Sequence, residues 1–75
     1  MNTGMLWLDT DQRRTLEEKV TRAAAYYLEK YGRMPELCLV NKRSLAEERT
    51  VGAIHVRPVK NMVEHHFLLG FDSAN

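Results

Sequence analysis

The sequence predicts an α+β domain in which one long N-terminal helix packs on a three-stranded sheet that ends in a β-hairpin. Two observations carry this prediction. Between residues 10 and 31 the apolar side chains recur at spacings of three and four, and within residues 51–57 and 64–71 the two faces alternate. The first period is that of an amphipathic helix, and the second is that of a strand with one buried face. Residues 36–40 supply the remaining strand, and residues 1–8 contain a candidate fourth.

Length and composition bound the class of protein. The 75 residues suffice for one small domain, with 44% hydrophobic and 28% charged residues and a net charge of +1. No run of about 18 apolar residues predicts a membrane span, and no signal-peptide pattern is present. Cys38 is the only cysteine, so no disulfide forms within the chain. We therefore expect a soluble protein of the reducing cytoplasm.

The N-terminal half contains the helix. The stretch that ends in Met5–Leu8 is too apolar for a loose tail, so it predicts a strand, a flap over the sheet, or an arm exchanged between chains. Asp9 with Gln12 matches a capping box, with Thr10 and Asp11 as alternative caps, and predicts a helix over residues 10–31. Gly32 and the proline three residues later end this helix.

The C-terminal half contains the sheet. Residues 36–40 are apolar on both faces, which is typical of a central strand. Ser44 and Glu47 form a second capping box and predict a short helix over residues 44–49. Residues 51–57 and 64–71 then pair as a hairpin whose turn is centred on Lys60 and Asn61. The direction of the 36–40 strand relative to this hairpin is left open.

The hairpin register assigns side chains to faces. Directly opposite residues of an antiparallel pair project to the same side, which places His55 opposite His66. Ile54 and Phe67 then face the helix. The opposite face is the candidate interface or binding surface, and the residues that we assign to it, with Trp7 from the N-terminal segment, are His55, Arg57, His66, Leu68, Cys38, Val40 and Trp7.

The same residues argue against catalysis and metal binding. His55 and His66 are too few for a zinc site, and Arg57 beside them would repel a cation. Cys38 lies in an apolar strand, where a thiol is unreactive. The four glycines are isolated and form no phosphate-binding loop. We therefore expect no enzyme activity, no metal and no cofactor.

Two functions remain. One helix leaves the second sheet face uncovered and partly apolar, which favours a homodimer and a protein-interaction module, with a larger protein partner as a further option. The alternative is a nucleic-acid-binding protein that uses the basic sheet face and the segment 41–60, which holds five bases against two acids. Phe67 and Phe71 are assigned to the helix side, so Trp7 is the one aromatic residue left as a stacking platform, and this shortage disfavours the alternative.

Overall fold

A computed structural model describes residues 4–71 of the chain and confirms the α+β class. One helix packs against a mixed sheet of five strands, in the order β1-β5-β2-β4-β3. The predicted three or four strands were too few, because the segment before Gly52 forms an additional strand, while the candidate strand at the N-terminus is confirmed. The elements are β1 (Met5–Leu8), α1 (Leu16–Tyr31), β2 (Leu37–Asn41), β3 (Arg49–Val51), β4 (Ile54–Val59) and β5 (His66–Gly70).

Helix α1 begins at Leu16, six residues later than predicted, because a different capping box starts it. The Thr15 hydroxyl accepts the Glu18 N–H at 3.2 Å, and the Glu18 carboxylate accepts the Thr15 N–H at 2.9 Å. This pattern was present in the sequence and is a closer match to the motif than Asp9 with Gln12. The Asp11 carboxylate accepts the Arg13 N–H at 2.9 Å and holds the preceding residues in a turn.

The end of α1 confirms the prediction for Gly32. This residue takes the left-handed conformation with φ at 76°, and its N–H donates to the Leu28 carbonyl at 2.8 Å. A residue with a side chain is strained in this conformation, so glycine is the favoured terminator.

The predicted hairpin between residues 51–57 and 64–71 is wrong, because β2 lies between β4 and β5. β2 pairs with β4 in parallel and with β5 in antiparallel orientation. The observed hairpin joins β3 to β4, with Val51 opposite Ile54 and Gly52 at φ 60° in its two-residue turn. Such a turn needs a positive φ, which glycine supplies without strain. β4 and β5 are therefore not paired, although only a short loop connects them.

Residues 44–49 do not form the predicted helix. The Asn41 side chain accepts the Arg43 N–H at 2.7 Å, and the Ser44 N–H donates to the Asn41 carbonyl at 2.9 Å, so the chain turns here. Because β2 and β4 are parallel, the chain must return to the end of the sheet where β2 begins before it can enter β4. Part of this return pairs with β4 as β3, which takes Arg49 out of the predicted helix.

Proline at position 58 lies inside β4 without a lost hydrogen bond. The His55 N–H donates to the Glu36 carbonyl beside β2 at 2.9 Å, so alternation turns the nitrogen of Pro58 to the opposite side. On that side β3 pairs with β4 only up to Val56. Pro58 therefore occupies a position that is locally an edge.

The core lies between α1 and one face of the sheet. Val20 and Tyr27 of the helix are fully buried against strand residues that alternate along each strand. The Tyr27 ring contacts Tyr31 and Phe71, with ring centroids 4.6 and 6.4 Å away. The buried apolar cluster consists of Met5, Val20, Ala23, Ala24, Tyr27, Cys38, Val40, Ile54, Val56, Phe67 and Leu69.

Candidate interaction surface

The sheet has two unlike faces, which the strand registers define. α1 lies over one of them, and we call it the covered face. Because directly opposite residues share a side, the registers also define the other, which we call the open face. It carries Leu6 and Leu8 of β1, His66 and Leu68 of β5, Leu37 and Leu39 of β2, His55 and Arg57 of β4, and Thr50 of β3.

Four of the seven predicted surface residues lie together on this face. His55 and Arg57 project from β4, and His66 and Leu68 project from β5. Their facing was predicted correctly although the strand pairing was not, because alternation along each strand is local. The two histidines are nevertheless separated by the width of β2.

The other three residues lie on the covered face. Cys38 is opposite both Val56 and Leu69, so it belongs to the core, and Val40 follows it two residues later. Trp7 is opposite Phe67 and packs on Tyr26 of α1, with the ring centroids 4.5 Å apart. The prediction for β2 was wrong because both of its faces are apolar, so its alternation does not indicate which face is buried.

The apolar part of the open face includes residues that the prediction missed. Leu6 and Leu8 are 61% and 56% exposed, and Leu68 and Leu39 lie beside them half-buried. We call these four residues the leucine strip. The sequence feature that could have revealed them is the alternation within Met5–Leu8, which puts both leucines on the side opposite Trp7.

The polar part of the open face is centred on one carboxylate. The imidazole Nε2 of His55 lies 2.6 Å from Glu48 Oε1 and donates to it, since a carboxylate only accepts. The Nε of Arg57 lies 3.7 Å from the other oxygen of the same carboxylate. Glu48 therefore offsets part of the positive charge that was expected here.

Metal-binding side chains do not converge in the part of the chain that the structure describes. Burial raises the pKa of the Cys38 thiol to about 12, and this thiol lies on the covered face, away from His55 and His66. Within residues 4–71 no group of three His, Cys, Asp or Glu side chains converges in a way that could hold a metal ion. The expected absence of enzyme activity, metal and cofactor stays a prediction.

The comparisons with known proteins identify no relative. No protein-family model matches the chain, and no match was found among curated proteins or among solved structures. In the part of the chain that the structure describes, no helix is long and apolar enough to cross a membrane.

Proposed function

We propose that this domain is a small, non-enzymatic protein-interaction module that forms a homodimer through the surface around β1. The leucine strip supports this proposal, because Leu6 and Leu8 expose more than half of their surface beside Leu68 and Leu39. Contiguous apolar surface on a small protein typically marks an interface. A two-fold homodimer is the commonest closed assembly.

The structure favours this function over nucleic-acid binding. Sheets that bind single strands carry aromatic rings on which bases stack. In the described strands the aromatic residues Trp7 and Phe67 both lie on the covered face. On the open face, Glu48 places a negative charge next to His55 and Arg57. Both features disfavour a phosphate backbone as the partner.

The mass in solution tests the proposal. Light scattering after size exclusion, at micromolar concentration and neutral pH, should give twice the chain mass of 8.7 kDa. The change Leu8→Asp puts a charge on β1 itself, at the outer end of the leucine strip, and should return the mass to that of one chain. Thr50→Asp is the matched control, because Thr50 is an exposed open-face residue at the other end of the sheet. It should leave the dimer intact.

Two outcomes would contradict the proposal. A wild-type mass of one chain rules out the homodimer at this concentration. A dimer that survives Leu8→Asp but not Thr50→Asp places the interface on the polar part. A labelled single-stranded RNA in the same experiment tests the alternative, because binding that weakens steeply with salt would favour a nucleic-acid partner.

A further inference from the structure

The two edges of the sheet differ in how they are protected against pairing with another chain. β3 forms one edge and has only three residues, of which Arg49 makes an ion pair with Glu17 of α1. Glu48 directly precedes it. Short length and charge are ordinary protections of an edge strand. β1 forms the other edge, and Met5–Leu8 contains no charged residue and no proline.

Among residues 4–71, the hydrogen bonds of β1 show which of its backbone groups point away from the sheet. The Asp9 N–H donates to the His65 carbonyl at 2.9 Å, in the same register that places Trp7 opposite Phe67. Hydrogen-bonded and non-hydrogen-bonded pairs alternate in an antiparallel ladder. Trp7 therefore bonds toward β5, whereas the N–H and C=O groups of Leu6 and Leu8 point away from the sheet.

We infer that two copies of this chain join edge to edge, β1 against β1 in antiparallel orientation, with Trp7 at the two-fold axis. This inference rests on the proposed homodimer and specifies its geometry. Leu6 of one copy lies opposite Leu8 of the second copy, and each such pair exchanges both backbone hydrogen bonds. The two five-stranded sheets then form one continuous sheet.

The register follows from the side chains. In β1 only the even-numbered residues, Leu6 and Leu8, have backbone groups that point outward. In a hydrogen-bonded pair each of them must therefore lie opposite an even-numbered residue of the second copy. With the axis at Trp7, all four leucines of the two strands meet as two apolar pairs on the open face. With the axis at Leu6, Leu8 would lie opposite Gly4, which has no side chain to cover it.

A second copy is a suitable occupant of this edge because the groove beside it carries no net charge. Met5, Trp7 and Tyr26 line the groove with one acid, Glu29, and one base, Lys30. The two charges cancel, so two copies of this groove can approach each other without a net charge repulsion. A dimer of ordinary size buries about 800 Å² per partner, about one sixth of the 4951 Å² surface of this chain. The four residues of β1 are too few for this area, so the groove belongs to the interface.

A proline substitution tests the pairing. Leu8→Pro removes an N–H that points outward, so it should lower the mass to one chain while the far-ultraviolet circular dichroism stays unchanged. Leu68→Asp is the matched control, because Leu68 belongs to the leucine strip but lies one strand inside the edge. This variant should remain a dimer. If Leu68→Asp gives single chains and Leu8→Pro does not, the sheets pack face to face and the edge inference is wrong, although the homodimer stands.

Cross-linking tests the register independently of any proline. Leu6→Cys and Leu8→Cys chains, mixed under mild oxidation, should form a disulfide between the two variants, because the Cα atoms of a hydrogen-bonded pair lie about 5.5 Å apart. Neither variant should cross-link by itself. Cys38 is fully buried and does not compete. A disulfide formed by Leu6→Cys alone would move the axis to residue 6 and overturn the register, and no disulfide in the mixture would overturn the edge pairing.

Discussion

The two faces of the sheet are made by the same strands, yet they differ sharply in their exposure to solvent. On the covered face Phe67 and Leu69 are 2% and 0% exposed, whereas Leu6 and Leu8 on the open face are more than half exposed. The side chains are of similar hydrophobicity, so composition does not explain the difference. One helix of 16 residues covers one side only. The position of α1 therefore explains why Phe67 and Leu69 are buried, whereas Leu6 and Leu8 stay exposed although Leu37 on the same open face is only 7% exposed.

Truncation of a side chain should cost far more stability on the covered face than on the open face. Phe67→Ala should lower the free energy of unfolding by about 3–5 kcal/mol, because it removes a buried ring and leaves a cavity. Its neighbour Leu68 is the matched control on the open face, and Leu68→Ala should cost no more than about 1 kcal/mol. Urea denaturation followed by circular dichroism measures both. Losses of equal size would contradict the division into a covered and an open face.

A second prediction concerns Cys38, which was predicted on the open face and lies on the covered face. Burial raises the pKa of its thiol to about 12, above the value of about 8.5 for a free cysteine. The stabilisation that follows is complete below about pH 8.5 and is lost as the pH rises toward 12, by up to about 1.4 kcal/mol per pH unit. Unfolding curves between pH 8 and 11 measure this loss.

The Cys38→Ala variant is the control for this pH dependence. Burial also raises the pKa of Tyr27, so part of the alkaline loss should remain in the variant. A slope that is unchanged by Cys38→Ala would show that the thiol does not contribute. In the native wild-type protein, a thiol reagent at neutral pH should react with Cys38 only through opening of the core. Rapid labelling would show that Cys38 is exposed and would contradict its burial on the covered face.

The mildest losses of stability are expected for two exposed carboxylate contacts, one on each face. Glu17 of α1 pairs with Arg49 across the rim of the covered face, and Glu48 pairs with His55 on the open face. All four side chains are about half exposed, so Glu17→Gln and Glu48→Gln should each cost about 0.2–1 kcal/mol. Urea denaturation at low and high salt should show the cost falling with salt. A loss of several kcal/mol at Glu48 would mean that the open face is covered.

The candidate surface was predictable from the sequence only in part. The alternation along β4 and β5 placed His55, Arg57 and Leu68 on one face, and the structure agrees. Leu6 and Leu8 were missed because a segment of four residues does not reveal whether it is a strand, a flap or an exchanged arm. The contact of Glu48 with His55 was missed because the predicted helix would have taken this carboxylate elsewhere.

The features that depend only on neighbouring residues could be predicted from the chain alone. These are the existence of α1 and its end at Gly32, and the facing of the side chains along β4 and β5. Helix periodicity, strand alternation and the backbone freedom of glycine all act over a few residues, so the chain shows them directly.

Only the tertiary structure decided how the strands are arranged. β2 lies between β4 and β5, which are neighbours in sequence, and β3 becomes a strand because the edge of β4 offers it hydrogen-bond partners. β2 is apolar on both sides, so its pattern could not indicate that Cys38 faces the helix. Pairing between distant segments depends on which surfaces remain available after collapse, and this is a property of the whole chain rather than of any part of it.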